Sequence, residues 1–116
     1  MNFEQFIKEN AKLVDKEIEK LFPKKISAEW MELALGKPNF SYDLQACNSA
    51  VAKTVWDLLA RGGKRWRPLL MLISNEAFGG NPEKAKQFLA LPELIHNGTL
   101  MVDDVEDNSK FRRGKP

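Results

Sequence analysis

Residues 93–107 read ELIHNGTLMVDDVED, an apolar helical stretch that ends in a dense group of acids. Residues at three- and four-residue spacing share one face of this helix, namely Glu93, His96, Leu100, Asp103 and Asp107. Four of the five residues from 103 to 107 are acidic, and carboxylates this close repel one another unless cations hold them. The stretch therefore predicts a helix whose acidic end binds cations.

Helical spacing of apolar residues continues through the rest of the chain. It predicts helices over 3–22, stopped by Pro23, and over 28–35, capped by Ser27. A third helix starts at Ser41 or Asp43 and packs inward through a face containing Leu44, Cys47, Val51, Val55, Leu58 and Leu59.

The pattern resumes over 64–78 and again from Pro82 to about residue 107, where Pro92 predicts a kink or two helices meeting near Leu91. No alternating strand pattern and no repeat occurs in the sequence. The predicted fold class is all-α, a helical bundle.

Composition places the chain among globular proteins of one domain. Its 116 residues are 43% hydrophobic and 29% charged, with a net charge of +2. This balance argues against nucleic acid as a partner, since nucleic-acid binders usually concentrate basic residues. The longest apolar run, residues 69–73, is too short to cross a membrane.

The cysteine content and the N-terminus favour a cytoplasmic location. Cys47 is the only cysteine, so the chain has no internal disulfide and no cysteine-based metal site, as is usual in a reducing compartment. We expect Cys47 to be a small buried side chain. The first residues mix acids with apolar residues and lack the pattern of a signal peptide.

Magnesium is the cation that best suits the acidic cluster, because it takes one or two carboxylates and completes its octahedron with waters and phosphate oxygens. Asp104 lies about 100° round the helix from Asp103 and can contribute through a second metal or a water. Glu106 points elsewhere. The alternative is a solvated acidic helix end, which is weakened because acids oppose the dipole there. A calcium loop is excluded, since the sixth residue from Asp103 is Asn108 and not glycine.

Basic residues stand at two further places. Lys64 and Arg67 lie one turn apart at a predicted helix start, where free backbone N–H groups also favour anions. Each basic group alone is more often a solvated surface, and His96 alone is more often a core histidine. Together with Arg112 and Arg113 beyond the acids, they favour a phosphate-binding function.

These motifs resemble the polyprenyl synthetase family, the trans-prenyl diphosphate synthases. The resemblance covers residues 44–116 and rests on three motifs in order, namely GGKRWRP at 62–68, ELIHN at 93–97, and DDVED at 103–107 followed by RRG at 112–114. It implies a prenyltransferase that condenses isopentenyl diphosphate with an allylic diphosphate.

Roles of individual residues follow from the resemblance. Asp103, Asp104 and Asp107 would hold magnesium ions that bridge the allylic diphosphate, and Arg112 would contact the same diphosphate. The diphosphate of isopentenyl diphosphate would be bound by Lys64, Arg67, His96 and Arg113. Gly98 and Thr99 stand where bulky aromatic residues would limit product length, which implies a geranylgeranyl-sized or longer product.

Members of this family are considerably longer and have a second aspartate-rich motif, which is not found here. We therefore expect residues 1–116 to be the N-terminal portion of a synthase domain, inactive alone and acting as a homo-oligomer or with a complementing C-terminal half. The alternative is a non-catalytic diphosphate-binding or regulatory subunit that associates with a complete synthase.

Overall fold

The computed structural model describes residues 2–116. Within that range the chain is helical apart from turns, loops and an isolated antiparallel bridge between Arg112 and Lys115, and it contains no strand. The prediction of an all-α fold is therefore confirmed.

The α-helices are α1 (Phe3–Leu21), α2 (Ala28–Leu35), α3 (Leu44–Cys47), α4 (Lys53–Ala60), α5 (Trp66–Ala77), α6 (Pro82–Lys86) and α7 (Ala90–Glu106). A π-helical turn, Asn48–Ala52, joins α3 to α4 in one continuous rod.

Side chains that bond to free backbone N–H groups fix where several helices begin. Ser27 accepts from the backbone of Trp30, as predicted, and Asp43 caps α3 by accepting from Gln45 at 2.7 Å. Of the two predicted caps for this helix, Asp43 is therefore the one used. Pro82 opens α6, where its missing N–H removes no hydrogen bond.

The core lies where α1 crosses α5 and α7. Its buried side chains are Ile7, Val14, Ile18, Leu59, Leu69 and Ala90. A smaller cluster, formed by Leu72, Ala85 and Leu89, packs α5 against α6 and the start of α7. Because α7 is anchored in both clusters at its N-terminal end, its acidic C-terminal end projects from the core.

The π-turn changes which residues of the third predicted helix face inward. It holds one more residue per turn than an α-helix, so the buried face shifts by one position. Ala52 is fully buried, whereas Val51, which was predicted to face inward, is exposed. Leu58 and Leu59 are buried as predicted, and Cys47 is only partly buried, not the buried side chain that was expected.

The break before α7 lies slightly earlier than Pro92 suggested. Helix α6 ends at Lys86 and α7 begins at Ala90, so Pro92 falls in the first turn of α7. Proline is tolerated there because the first N–H groups of a helix have no partner within the helix. The prediction of two helices is confirmed, and their junction is displaced to residues 87–89.

Helix α7 also presents large apolar side chains to solvent. Ile95, Val102 and Val105 are 65%, 58% and 81% exposed, respectively. Across residues 2–116, no helix combines the length and apolar character needed to cross a bilayer.

Asn48 ties the start of the π-turn to the segment before α2. Its side chain accepts from the Ile26 N–H at 2.8 Å and donates to the Ile26 and Leu44 carbonyls at 2.9 and 2.8 Å. Since Ile26 is buried, Asn48→Ala leaves buried polar groups unpaired and should lower the free energy of unfolding by about 1–3 kcal/mol. Urea unfolding followed by circular dichroism measures the change.

Asn39→Ala is the matched control, because Asn39 is exposed and the same atoms are removed. Its stability should stay within about 0.5 kcal/mol of the unsubstituted chain. Equal losses for both variants would contradict the proposed role of Asn48.

Candidate functional site

The turn between α4 and α5 places Lys64 and Arg67 at the start of α5. Gly62 and Gly63 adopt φ of 87° and 152°, and Arg65 has φ of 52°, so α5 begins only at Trp66. The prediction of a helix from residue 64 was therefore wrong by two residues. Lys64 lies exposed in the turn, while Arg67 is partly buried in the first helical turn.

Arg65 differs from its basic neighbours because it is buried, with 6% of its surface exposed. Its Nε donates to Asp15 at 2.9 Å, its Nη1 to Glu93 at 2.8 Å, and its Nη2 to the Leu59 carbonyl at 2.8 Å. A left-handed conformation costs a non-glycine residue about 1–2 kcal/mol, and these bonds hold Arg65 in it.

His96 lies on α7 among the predicted phosphate-binding cations. Its pKa is lowered, first by burial and then by the positive charge of Arg67. Arg113 and Arg112 lower it further, and Glu93 opposes them. Arg67, Arg112 and Arg113, which come from two separate segments, therefore all act on His96 in the middle of α7, whereas the exposed Lys64 lines a surface pocket with Phe3 and Ile7 of α1.

The segment after α7 folds back and delivers two arginines with different surroundings. Arg113 donates through Nη1 to the Leu58 carbonyl at 3.1 Å and to the Gly62 carbonyl. Its Nη2 donates to Asn97 Oδ1 at 3.1 Å. Three of its five N–H groups are thus used within residues 2–116, and two remain for a ligand.

Arg112 is directed at the acidic cluster. Its Nε donates to Asp104 at 2.9 Å, its Nη2 also donates to Asp104, and it lies 3.8 Å from Asp103. Arg61 holds the segment after α7 in place, because its Nη1 donates to the Arg112 and Lys115 carbonyls at 3.0 and 3.1 Å.

This pairing affects both partners. The hydrogen bond from Arg112 lowers the pKa of Asp104, and the bond to Asp104 raises the pKa of Arg112, with smaller contributions from Asp103 and Asp107. In this state Asp104 is therefore an ionised carboxylate engaged by a guanidinium.

The other two predicted metal ligands are open to solvent. Asp103 is exposed, and Asp107 lies one turn further on, donating its N–H to the Asp103 carbonyl at 2.8 Å as α7 ends. Among residues 2–116 no group of three histidine, cysteine or acidic side chains is gathered closely enough to hold a metal ion. The donors still fit magnesium, which needs only one or two carboxylate oxygens from the protein.

Arg61, Arg65, Glu93 and Asn97 were not predicted to be site residues, although the last three lie within the motifs GGKRWRP and ELIHN. Glu93 is 3% exposed and accepts from Arg65 and from Asn97 Nδ2 at 2.9 Å. Two features of the sequence pointed to an ion pair between Glu93 and Arg65: Glu93 lies on the same helix face as His96, and Arg65 lies in a basic motif. Because a buried carboxylate must be paired, a cation from another segment could have been predicted as the partner of Glu93.

Comparison with known proteins identifies the family of the chain. The family model for polyprenyl synthetase matches residues 48–116, more than half of the chain. The chain belongs to the polyprenyl synthetase family.

Individual relatives are similar over shorter or longer stretches. A geranylgeranyl diphosphate synthase of Saccharolobus solfataricus is 46% identical over 51% of this chain, and a short chain isoprenyl diphosphate synthase of Methanothermobacter thermautotrophicus is 48% identical over 51%. A geranylgeranyl pyrophosphate synthase of Geoglobus acetivorans is 33% identical over 95%.

The matches span 18% of each of the first two relatives and 28% of the third. No solved structure matches the chain.

The pair between Arg112 and Asp104 gives a testable pH dependence. Because the folded-state pKa of Asp104 is lowered, the stabilisation is complete above the unfolded pKa of about 3.9 and is lost as the pH falls through the folded value. In Arg112→Gln, the pKa of Asp104 should move up towards its ordinary range, as measured by NMR of the side-chain carboxyl carbon in metal-free buffer.

Glu29 provides an internal reference, because its pKa is lowered by a hydrogen bond from Ser27 and owes nothing to Arg112. Its titration should be unchanged in the variant. An unchanged titration of Asp104 would show that the pair does not form in solution.

Proposed function

We propose that this chain forms part of a prenyltransferase that condenses isopentenyl diphosphate with an allylic diphosphate into a longer trans-prenyl diphosphate. The observation that supports it best is that Arg112 pairs with Asp104 and lies 3.8 Å from the exposed Asp103, while Arg113 of the same segment bonds to Asn97, next to His96 on α7. Cations next to free carboxylates suit two phosphorylated substrates, one bound by fixed cations and the other through a divalent metal.

The fixed cations would bind isopentenyl diphosphate. Lys64 offers an ammonium on the exposed turn before α5, and Arg113 keeps two N–H groups free for phosphate oxygens. His96 has a lowered pKa, so it is mainly neutral until an anion arrives and favours its protonation. Arg67 would complete the diphosphate site.

The acidic end of α7 would serve the allylic diphosphate. Asp103, Asp104 and Asp107 would hold magnesium, which when bound neutralises the negative charge of a diphosphate leaving group. Arg112 would then share its contact with Asp104 between that carboxylate and the allylic diphosphate. Proximity of the two diphosphate sites would set the isopentenyl double bond against the allylic carbon, whose bond to the diphosphate oxygen breaks as the new carbon–carbon bond forms. Loss of a proton from the isopentenyl unit would then restore a double bond, and diphosphate would leave with the electron pair of the broken bond.

A complete enzyme needs more than these residues supply. One acidic cluster, open to solvent, cannot enclose the metal-bound allylic diphosphate. The exposed Ile95, Val102 and Val105 of α7 also call for covering helices. We therefore propose that residues 1–116 are the N-terminal portion of a cytoplasmic synthase, which either forms a homo-oligomer after completion by further helices of the same chain or is completed by a separate C-terminal half.

The product would be geranylgeranyl-sized or longer. An added Cβ at Gly98 would meet no atom within 4 Å, so the α7 surface there is open. Thr99 is small and its hydroxyl donates back to the His96 carbonyl at 2.8 Å. Neither residue would close a pocket for a growing prenyl chain.

Magnesium-dependent diphosphate binding tests the metal site directly. The double variant Asp103→Asn and Asp107→Asn keeps the shapes of both side chains but removes two charges that attract the cation. Calorimetry should show that magnesium no longer strengthens the binding of an allylic diphosphate by this chain.

Glu106→Gln is the matched control, since Glu106 is an exposed acid in the same cluster but on another helix face. It should retain at least half of the magnesium effect. An unaltered magnesium effect in the double variant would exclude Asp103 and Asp107 as ligands.

Product length tests the proposed pocket in the enzyme as purified from its source. Thr99→Phe should shift products to shorter chains, because a bulky ring on α7 would block elongation, and chromatography of the dephosphorylated products measures the shift.

Thr99→Ser keeps a small side chain and the hydroxyl that bonds to the His96 carbonyl, so it should leave chain length unchanged. Absence of any prenyl product in the unsubstituted enzyme would instead favour a non-catalytic subunit.

A further inference from the structure

A buried chain of polar contacts runs beneath the proposed isopentenyl diphosphate site. Arg65 Nη1 donates to Glu93 Oε1 at 2.8 Å, and the same oxygen accepts from Asn97 Nδ2 at 2.9 Å. Asn97 Oδ1 then accepts from Arg113 Nη2 at 3.1 Å. Glu93 and Asn97 are each 3% exposed and Arg65 is 6% exposed, so the contacts lie away from solvent.

Arg65 and Asn97 are each next in sequence to a group proposed to bind diphosphate, and Glu93 lies one helical turn before His96. Arg65 follows Lys64 and precedes Arg67 by two residues, while Asn97 follows His96 on α7. Arg113 is itself at the end of the network. The contacts therefore join three segments that are far apart in sequence: the turn before α5, the middle of α7, and the segment after α7.

The hydrogen-bonding groups of Arg65 and Asn97 are largely taken up by protein partners. All three guanidinium nitrogens of Arg65 have protein acceptors. Asn97 Nδ2 donates to both the carbonyl and the carboxylate of Glu93. A group so committed orients its neighbours, as outer-shell partners do around metal ligands.

We infer that Arg65, Glu93 and Asn97 are positioning residues that hold Arg113, Lys64 and Arg67 in one diphosphate-binding arrangement. The inference rests on the proposed function for the identity of the ligand. The network itself rests on contacts that exist without any ligand.

Asn97→Leu is the most informative variant, because it removes the contact to Arg113 and leaves the pair between Arg65 and Glu93 in place. In this chain it should weaken binding of inorganic diphosphate, measured by calorimetry without magnesium, on the order of tenfold. Glu93→Gln should weaken it similarly by disturbing the other end of the network.

A general loss of stability is separated from positioning by two controls. Leu72→Ala creates a cavity in the second core cluster, so it should lower the melting temperature and leave diphosphate affinity unchanged. In a background of Arg113→Ala, Asn97→Leu should have little further effect, since Asn97 acts through Arg113. Full additivity of the two substitutions, or an unchanged affinity in Asn97→Leu, would overturn the inference.

Hydrogen exchange provides a readout that needs no ligand. Asn97→Leu should speed amide exchange both at residues 62–64 and at residues 112–115, because one network holds both segments. Faster exchange at only one segment would refute the coupling. If the unsubstituted chain bound no diphosphate, the proposed function would fail, and exchange alone would decide whether the network positions these segments.

Discussion

The ion pair between Arg65 and Glu93 lies where α1, the end of α4 and α7 converge. Burying two charges is costly unless their remaining hydrogen-bonding groups are satisfied. Here the guanidinium also reaches Asp15 and the Leu59 carbonyl, and Glu93 also accepts from Asn97. The pair therefore fixes the turn before α5 relative to α7. Apolar packing of α1 against α5 and α7 holds the same arrangement.

In the turn before α5, one basic side chain is buried and its two basic neighbours are accessible to solvent. Arg65 is enclosed and fully bonded, whereas Lys64 on one side is exposed and Arg67 on the other is only partly buried. Three basic residues within four positions thus divide into one that builds the turn and two that are available to an anion. The left-handed backbone of Arg65 produces this division, since it turns that side chain inward just before α5 begins.

Much of this could be predicted from the sequence. Periodicity and caps predicted α1, α2 and the helical rod that begins at Asp43, and the motifs identified the family, because these signals are local. The π-turn was not predictable in this way, since its extra residue leaves no mark in the apolar pattern and changes only which of Val51 and Ala52 is buried. The contact between Glu93 and Arg65 spans 28 residues and depends on how helices pack, which periodicity does not encode.

The acidic end of α7 carries an electrostatic repulsion that the fold only partly offsets. Carboxylates at a helix C-terminus face the negative end of the helix dipole and repel one another. Arg112 neutralises Asp104, and Arg61 fastens the segment that presents Arg112. Asp103 and Asp107 retain their unfavourable charge at the exposed end of the helix. The exposed end of α7 therefore keeps acidic charge against the helix dipole, and a cation bound there would relieve the repulsion.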